Sequence, residues 1–160
     1  MVLAHLGRLE AVVLEASERV EALAIAVQGS AHLLALGGYA LPLGHCARTG
    51  SPLDAPLGDK RWRCSLLPGE GLAVGTVAGA AVVLTASELA LLQRLPRPGL
   101  PRSRDGSLLG PEAVWLHLLE LMELWCDEHL GRRPRAFRLL RASAEVMPQP
   151  RSATRRSTGP

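Results

Sequence analysis

The chain has 160 residues, 48% of them apolar and 21% charged, which is enough to bury the core of one globular domain. Its three cysteines, an odd number, do not make a disulfide framework and point to a reducing, cytoplasmic setting. Glu10, Glu15, Glu18 and Glu21 exclude the apolar stretch of a signal peptide, and no run of 18 apolar residues exists to span a membrane.

With only five aromatic residues the core has to be leucine, valine and alanine, a bias toward helix. The first element is an amphipathic helix over about residues 2–28, with Leu6, Leu9, Val13, Ala16, Val20, Leu23 and Val27 on one stripe. Gly29-Ser30 reads as an interruption, with Ser30 capping a second helix that stops at Gly37-Gly38. Prolines and glycines between 41 and 84 forbid long helices there. Short hairpins are predicted around Arg61 to Ser65 and from Leu72 to Leu84. Thr85 with Glu88 forms a capping box that opens a helix to about Leu95. A mobile loop is expected from Pro96 to Gly110. A central helix then runs from Pro111 to Leu130, ended by Gly131, with Val114, Leu118, Leu121, Met122, Trp125 and His129 on its main apolar face. Pro134 begins a last short helix to about Ala142, on which Phe137, Leu139 and Leu140 can face the core. Residues 144–160 read as a disordered basic tail.

Within the irregular part, Cys46-Ala47-Arg48-Thr49-Gly50 and Cys64-Ser65-Leu66-Leu67 have the spacing of two zinc-ribbon knuckles. A structural zinc takes four donors, usually from two C-x2-C turns. Here Thr49 and Leu67 stand where the second cysteine of each turn belongs. Leu33 to Leu43, with Gly38-Tyr39-Ala40-Leu41-Pro42, precedes the first knuckle. Thr85 to Leu92 and then His129-Leu130-Gly131-Arg132-Arg133-Pro134 follow the second. In this order the segments resemble the C-terminal half of the RecO family of recombination mediators, over roughly residues 20 to 141. The resemblance implies a helical domain over 1–143, carrying a degenerate zinc-ribbon-like insertion at 41–84. It implies binding to single-stranded DNA and to the acidic tail of single-strand-binding protein, work with RecR, and no turnover chemistry. Family members carry an oligonucleotide-binding barrel ahead of this domain. No strands like those of the barrel are found, so it is expected to be absent.

The charge is lopsided. Residues 1–131 hold 10 basic and 14 acidic side chains, whereas residues 132–160 hold eight arginines against Glu145 alone. A GC-rich coding bias accounts for arginine over lysine but not for the clustering. Arg132, Arg133, Arg135, Arg138 and Arg141 are therefore the candidate contacts for nucleic acid or an acidic peptide, through phosphate neutralisation and counterion release. The alternative is a merely solubilising surface.

Other sites are weaker. No paired nucleophile and base, P-loop or H-E-x-x-H motif occurs. Glu120, Glu123, Asp127 and Glu128 read as the solvated face of the central helix rather than as a metal site. His45 with Cys46 and Cys64 would give three zinc donors, but adjacent residues rarely point at one metal, so no cofactor is expected. His129 reads as a helix-end cap or core residue.

The expected fold is thus mostly α, a small helical bundle with an irregular, degenerate zinc-ribbon-like insertion. Two alternatives differ in function: a non-catalytic interaction module or truncated remnant that has lost DNA binding, and a small metal-dependent enzyme.

Overall fold

The computed structural model describes the backbone of residues 2–145 and the side chains of 15–142. Among these residues, four helices and a small three-stranded antiparallel sheet pack around one core. Helix α1 spans Val2–Leu36 without a break. Ser30 does not cap a second helix; its hydroxyl donates to the Ala26 carbonyl at 2.7 Å, the back-bond that lets serine sit inside a helix. Leu23 and Val27 are buried, as the stripe predicts, and Ala24 and Leu34 are buried with them, while the side chains of Leu6, Leu9 and Val13 lie outside the described residues.

The sheet is built from β1 (Arg63–Leu67), β2 (Gly71–Val74) and β3 (Val83–Thr85), in the order β2-β1-β3. The two predicted hairpins are therefore misplaced. The tight turn is Pro68-Gly69-Glu70, where the Glu70 N–H donates to the Leu67 carbonyl at 2.9 Å. β1 is the centre, with Cys64 opposite Val74 on one side and Leu84 on the other. The loop between β2 and β3 is held by the fully buried Ser65, whose hydroxyl donates to the Gly75 carbonyl at 2.7 Å and accepts from the Val77 N–H at 2.9 Å. Of the valines in this region, Val82 is buried but Val74 is half exposed; Leu53, Leu66, Leu72 and Leu84 do most of the filling.

Helix α2 (Ala86–Arg94) opens with both halves of the capping box. The Thr85 hydroxyl accepts from the Glu88 N–H, and the Glu88 carboxylate accepts from the Thr85 N–H at 2.8 Å. The loop from 96 to 110 is tied down by Gln28, whose amide donates to the carbonyls of Arg97 and Gly99 at 3.0 and 2.7 Å. Helix α3 (Glu112–Leu130) is central, burying Trp115, Leu118, Leu119, Leu121, Met122, Trp125 and Cys126. Gly131 ends it in the left-handed conformation, φ 68°, which glycine adopts without steric cost. Helix α4 (Arg135–Glu145) runs past the predicted end at Ala142. It buries Phe137 and packs Leu140 against the core, whereas Leu139 is turned outward. Of the tail read as disordered over 144–160, residues 144 and 145 belong to α4 instead, and 146–160 lie outside the described residues. No helix among the described residues is long and apolar enough to cross a membrane.

Leu121 is completely buried on α3, and its neighbour Glu120 is half-buried. Leu121→Ala should therefore cost about 2–5 kcal/mol in denaturant melts, and Glu120→Ala under about 1 kcal/mol. Equal costs would contradict the phase of α3.

Candidate nucleic-acid interface

The arginine segment is aimed by the end of α3. The Gly131 N–H donates to the Asp127 carbonyl at 3.0 Å, turning the chain so that Arg132 and Arg133 leave the helix axis. The Pro134 carbonyl accepts from the Phe137 N–H at 3.2 Å, opening α4. Burial of Phe137 then fixes the helical phase, and Arg135 and Arg138 fall on the exposed side. Arg133, Arg135, Arg138 and Arg141 line one cleft of about 550 Å³ together with Pro134 and Glu123. Arg132 is exposed but is not part of that lining.

Glu123 corrects the reading of the α3 carboxylates as a uniformly solvated face. It is only 7% exposed, and it accepts from the Arg141 guanidinium at 2.5 Å. One turn on, Asp127 accepts from Arg133 at 3.1 Å. The two pairs differ in strength. The Arg133–Asp127 pair is open to water on both sides, and such pairs contribute about 0–1 kcal/mol, so it opens readily. The Glu123 side of the other pair is nearly dry, and stripping the partner from such a carboxylate costs about 3–5 kcal/mol. Arg133 is thus available to a ligand, while Arg141 is committed. Among the described residues Arg132, Arg135 and Arg138 form no ion pair. The charge of Glu123 also reaches Cys126, whose thiol is pushed up first by burial and then by that carboxylate.

The cysteines of the two expected knuckles are free thiols, both buried, and only the first segment is a turn, since Cys64 to Leu67 lies within strand β1. Gly50, at φ 71°, closes the first knuckle by donating its N–H to the Cys46 carbonyl at 2.9 Å, and the Cys46 N–H donates to the Ser51 carbonyl at 2.8 Å. The Thr49 hydroxyl and the backbone N–H groups of Val74, Thr49 and Arg48 hold the Cys46 thiol down to about 6, against burial. Val74 approaches the sulfur at 3.4 Å. Cys64, on the central strand, is instead pushed up to about 12 by burial, with the charge of Cys46 adding to it. The four knuckle positions hold two thiols, a hydroxyl and the aliphatic Leu67, which does not fit a tetrahedral zinc. His45 is exposed beside them. Among the described residues no group of three His, Cys, Asp or Glu side chains could hold a metal ion.

Several residues that hold these parts together escape a reading of the sequence. Gln93 on α2 donates to the carbonyls of Leu43 and Leu53 at 3.0 and 2.7 Å, anchoring the approach to the first knuckle. His117 on α3 pairs with the cap residue Glu88 at 2.8 Å. His129 meets the expectation of a core role: its ring lies 3.9 Å from that of Trp125, and its Nε2 donates to the Pro68 carbonyl at 3.1 Å. Neither glutamine belongs to a motif, so no signal short of the fold would have found them.

The profile of the family described as "Recombination protein O C terminal" matches residues 6–137. A DNA repair protein RecO from Synechococcus sp. (strain WH7803) is 53% identical over 148 residues, covering 92% of this chain and 55% of the relative. Another, from Prochlorococcus marinus (strain MIT 9303), is 53% identical over 140 residues, covering 87% of this chain and 52% of the relative. A third, from Parasynechococcus marenigrum (strain WH8102), is 55% identical over 121 residues, covering 76% and 45%. The chain spans about half the length of the curated relatives it matches. No solved structure matches it. Matched by that profile over most of its length, and by relatives more than half identical to it, the chain belongs to the RecO family.

Proposed function

We propose that this chain serves DNA repair and homologous recombination as a non-catalytic mediator in the cytoplasm, and that its arginine cleft contacts single-stranded DNA. The names of its relatives support the process, since each is a DNA repair protein. The observation that carries the contact is the set of guanidinium groups around one cleft, of which Arg135 and Arg138 have no acidic partner among the described residues and Arg133 has only a solvent-exposed one. Phosphates bound by such groups release counterions, which gives affinity without base readout. RecR is the protein partner that the family resemblance implies.

A second reading has one observation in its favour. Among the described residues the cleft lining contains no aromatic ring on which bases could stack, the usual complement to charge in strand binding. That favours the acidic tail of single-strand-binding protein as the occupant, held by arginine–carboxylate pairs. An interaction module without DNA binding would behave in this way. The metal-dependent enzyme finds no support, since the α3 carboxylates Glu123 and Asp127 are each engaged by an arginine.

The segment from 41 to 84 is best read as a zinc ribbon whose metal role has lapsed, inserted in a helical domain over 1–143. Thr49 bonding the Cys46 thiol and Leu67 at the other knuckle support this.

Two outcomes are expected. Binding to single-stranded DNA should weaken with salt, and replacing Arg133, Arg135 and Arg138 by Gln should flatten the slope of log affinity against log salt by about 2. A chain ending at Glu145 separates the cleft from Arg151, Arg155 and Arg156. If only the longer chain binds, the cleft is not the site. Elemental analysis of the purified chain should find far less than one zinc per molecule. Stoichiometric zinc lost on changing Cys46 and Cys64 to serine would overturn the lapsed-ribbon reading.

A further inference from the structure

Among the described residues that line the cleft, one side chain is acidic, Glu123, and it is buried. Glu123 and Asp127 are four residues apart on α3 and each takes one arginine from the segment that follows. Asp127 and Arg133 are both well exposed, so that pair exchanges with water and ions. Glu123 has only a tenth of its side chain exposed, and Arg141 is its hydrogen-bond donor. A phosphate drawing Arg141 away would leave a carboxylate buried and unpaired, which costs more than one phosphate contact returns.

We propose that Glu123 governs the strength of this cleft toward single-stranded DNA, keeping the charge of Arg141 from the phosphates by holding it in a half-buried ion pair. The inference rests on the reading of the cleft as a strand-binding site. It divides the arginines into two kinds. Arg133, Arg135 and Arg138 meet the ligand. Arg141 shares the lining with them but is neutralised from behind, so it adds shape and not net charge. The carboxylate thereby keeps the site moderate, which suits a protein that has to release a strand as well as bind it.

A purely structural role for Glu123, pinning α4 to α3 through Arg141, makes a different prediction. Glu123→Gln keeps an oxygen acceptor for the Arg141 Nη2 and preserves the volume of the side chain, so α4 stays in place while the negative charge goes. If Glu123 governs the cleft, this variant frees one positive charge. Titration of the full chain with oligodeoxythymidylate across a salt series should then give a slope steeper by about 0.7. That slope amounts to about fivefold tighter binding at 0.1 M than is gained at 1 M salt. The double variant Glu123→Gln with Arg141→Gln swaps a neutral ion pair for a neutral hydrogen-bonded pair, and should return to the wild-type slope. Circular dichroism melts check that both variants keep the fold, and the double variant tests the claim independently if the single one does not.

A Glu123→Gln slope equal to or flatter than wild type would overturn the inference while leaving the strand-binding reading intact. So would a double variant flatter than wild type, which would mean that Arg141 contacts phosphate directly. Failure of the wild-type chain to bind oligodeoxythymidylate at low salt would remove both. A parallel titration with polyglutamate supplies the last arm. Tightening there, without tightening on the oligonucleotide, would overturn the DNA assignment in favour of an acidic peptide.

Discussion

Carbonyl groups in segments that lack a strand ladder still have to find hydrogen-bond donors when they are buried. In this protein the donors are side chains mounted on helices. Gln93 on α2 holds Leu43 and Leu53, and Trp125 on α3 holds Tyr39 at 2.7 Å. His129 holds Pro68, and Trp115 holds Leu109 at 3.0 Å. From α1, Gln28 and His32 hold the stretch from Leu95 to Gly99. Apart from the loop between β2 and β3, which Ser65 on β1 holds, each irregular segment between α1 and α3 is fixed to a helix by at least one such bond. Each bond contributes only about 0.5–1.5 kcal/mol, but an abandoned buried carbonyl costs more, so the register of these segments is specified as well as stabilised. In a ribbon, a metal would do that work by stapling the knuckles to each other. Here the Cys46 turn is held through its neighbours Leu43 and Leu53, and Cys64 lies within the central strand β1.

Helix α3 joins this scaffold to the candidate site. Its apolar face is the floor of the core, and its two tryptophans and His129 reach out to carbonyls in three different segments. Its remaining face carries Glu123 and Asp127 toward the chain that returns as α4. Phe137 supplies the apolar anchor for that return. The position of the arginines is therefore a consequence of one helix end: Gly131 reverses the chain, Phe137 sets the phase, and Glu123 takes up Arg141. A change at any of these three would move or recharge the cleft without touching Arg135 or Arg138.

The parts legible in the sequence are those governed by local chemistry. Thr85 with Glu88 announces a helix start, Gly131 after an apolar run announces an end, and both are where they were expected. The apolar face of α3 follows from its period. What failed depends on partners distant in sequence or on a choice between two local readings. Gly29-Ser30 reads as a break, yet the Ser30 hydroxyl finds the Ala26 carbonyl and the helix continues. The turn at Pro68-Gly69 carries a Pro-Gly signal, yet the expected hairpins, around Arg61 to Ser65 and from Leu72 to Leu84, lie on either side of it. Glu123 has the spacing of a solvated carboxylate, yet it is buried and bonded by Arg141, 18 residues on. Leu139 reads as core because leucine usually is, but burial of Phe137 fixes the phase of α4 and turns Leu139 outward. The arginine cluster itself was plain, and which members are free was not.

Hydrogen exchange on a Gln93→Met variant tests most directly the claim that helix-borne donors organise the irregular segment. Methionine matches the length of the side chain but cannot donate to the Leu43 and Leu53 carbonyls. Protection should fall at the amides of Cys46, Ala47 and Leu53, which bond to Ser51, Leu72 and Gly44, while the amides of α3 keep theirs. Unchanged protection in the variant would contradict the account, as would wild-type protection at the same amides that vanishes on adding a zinc chelator.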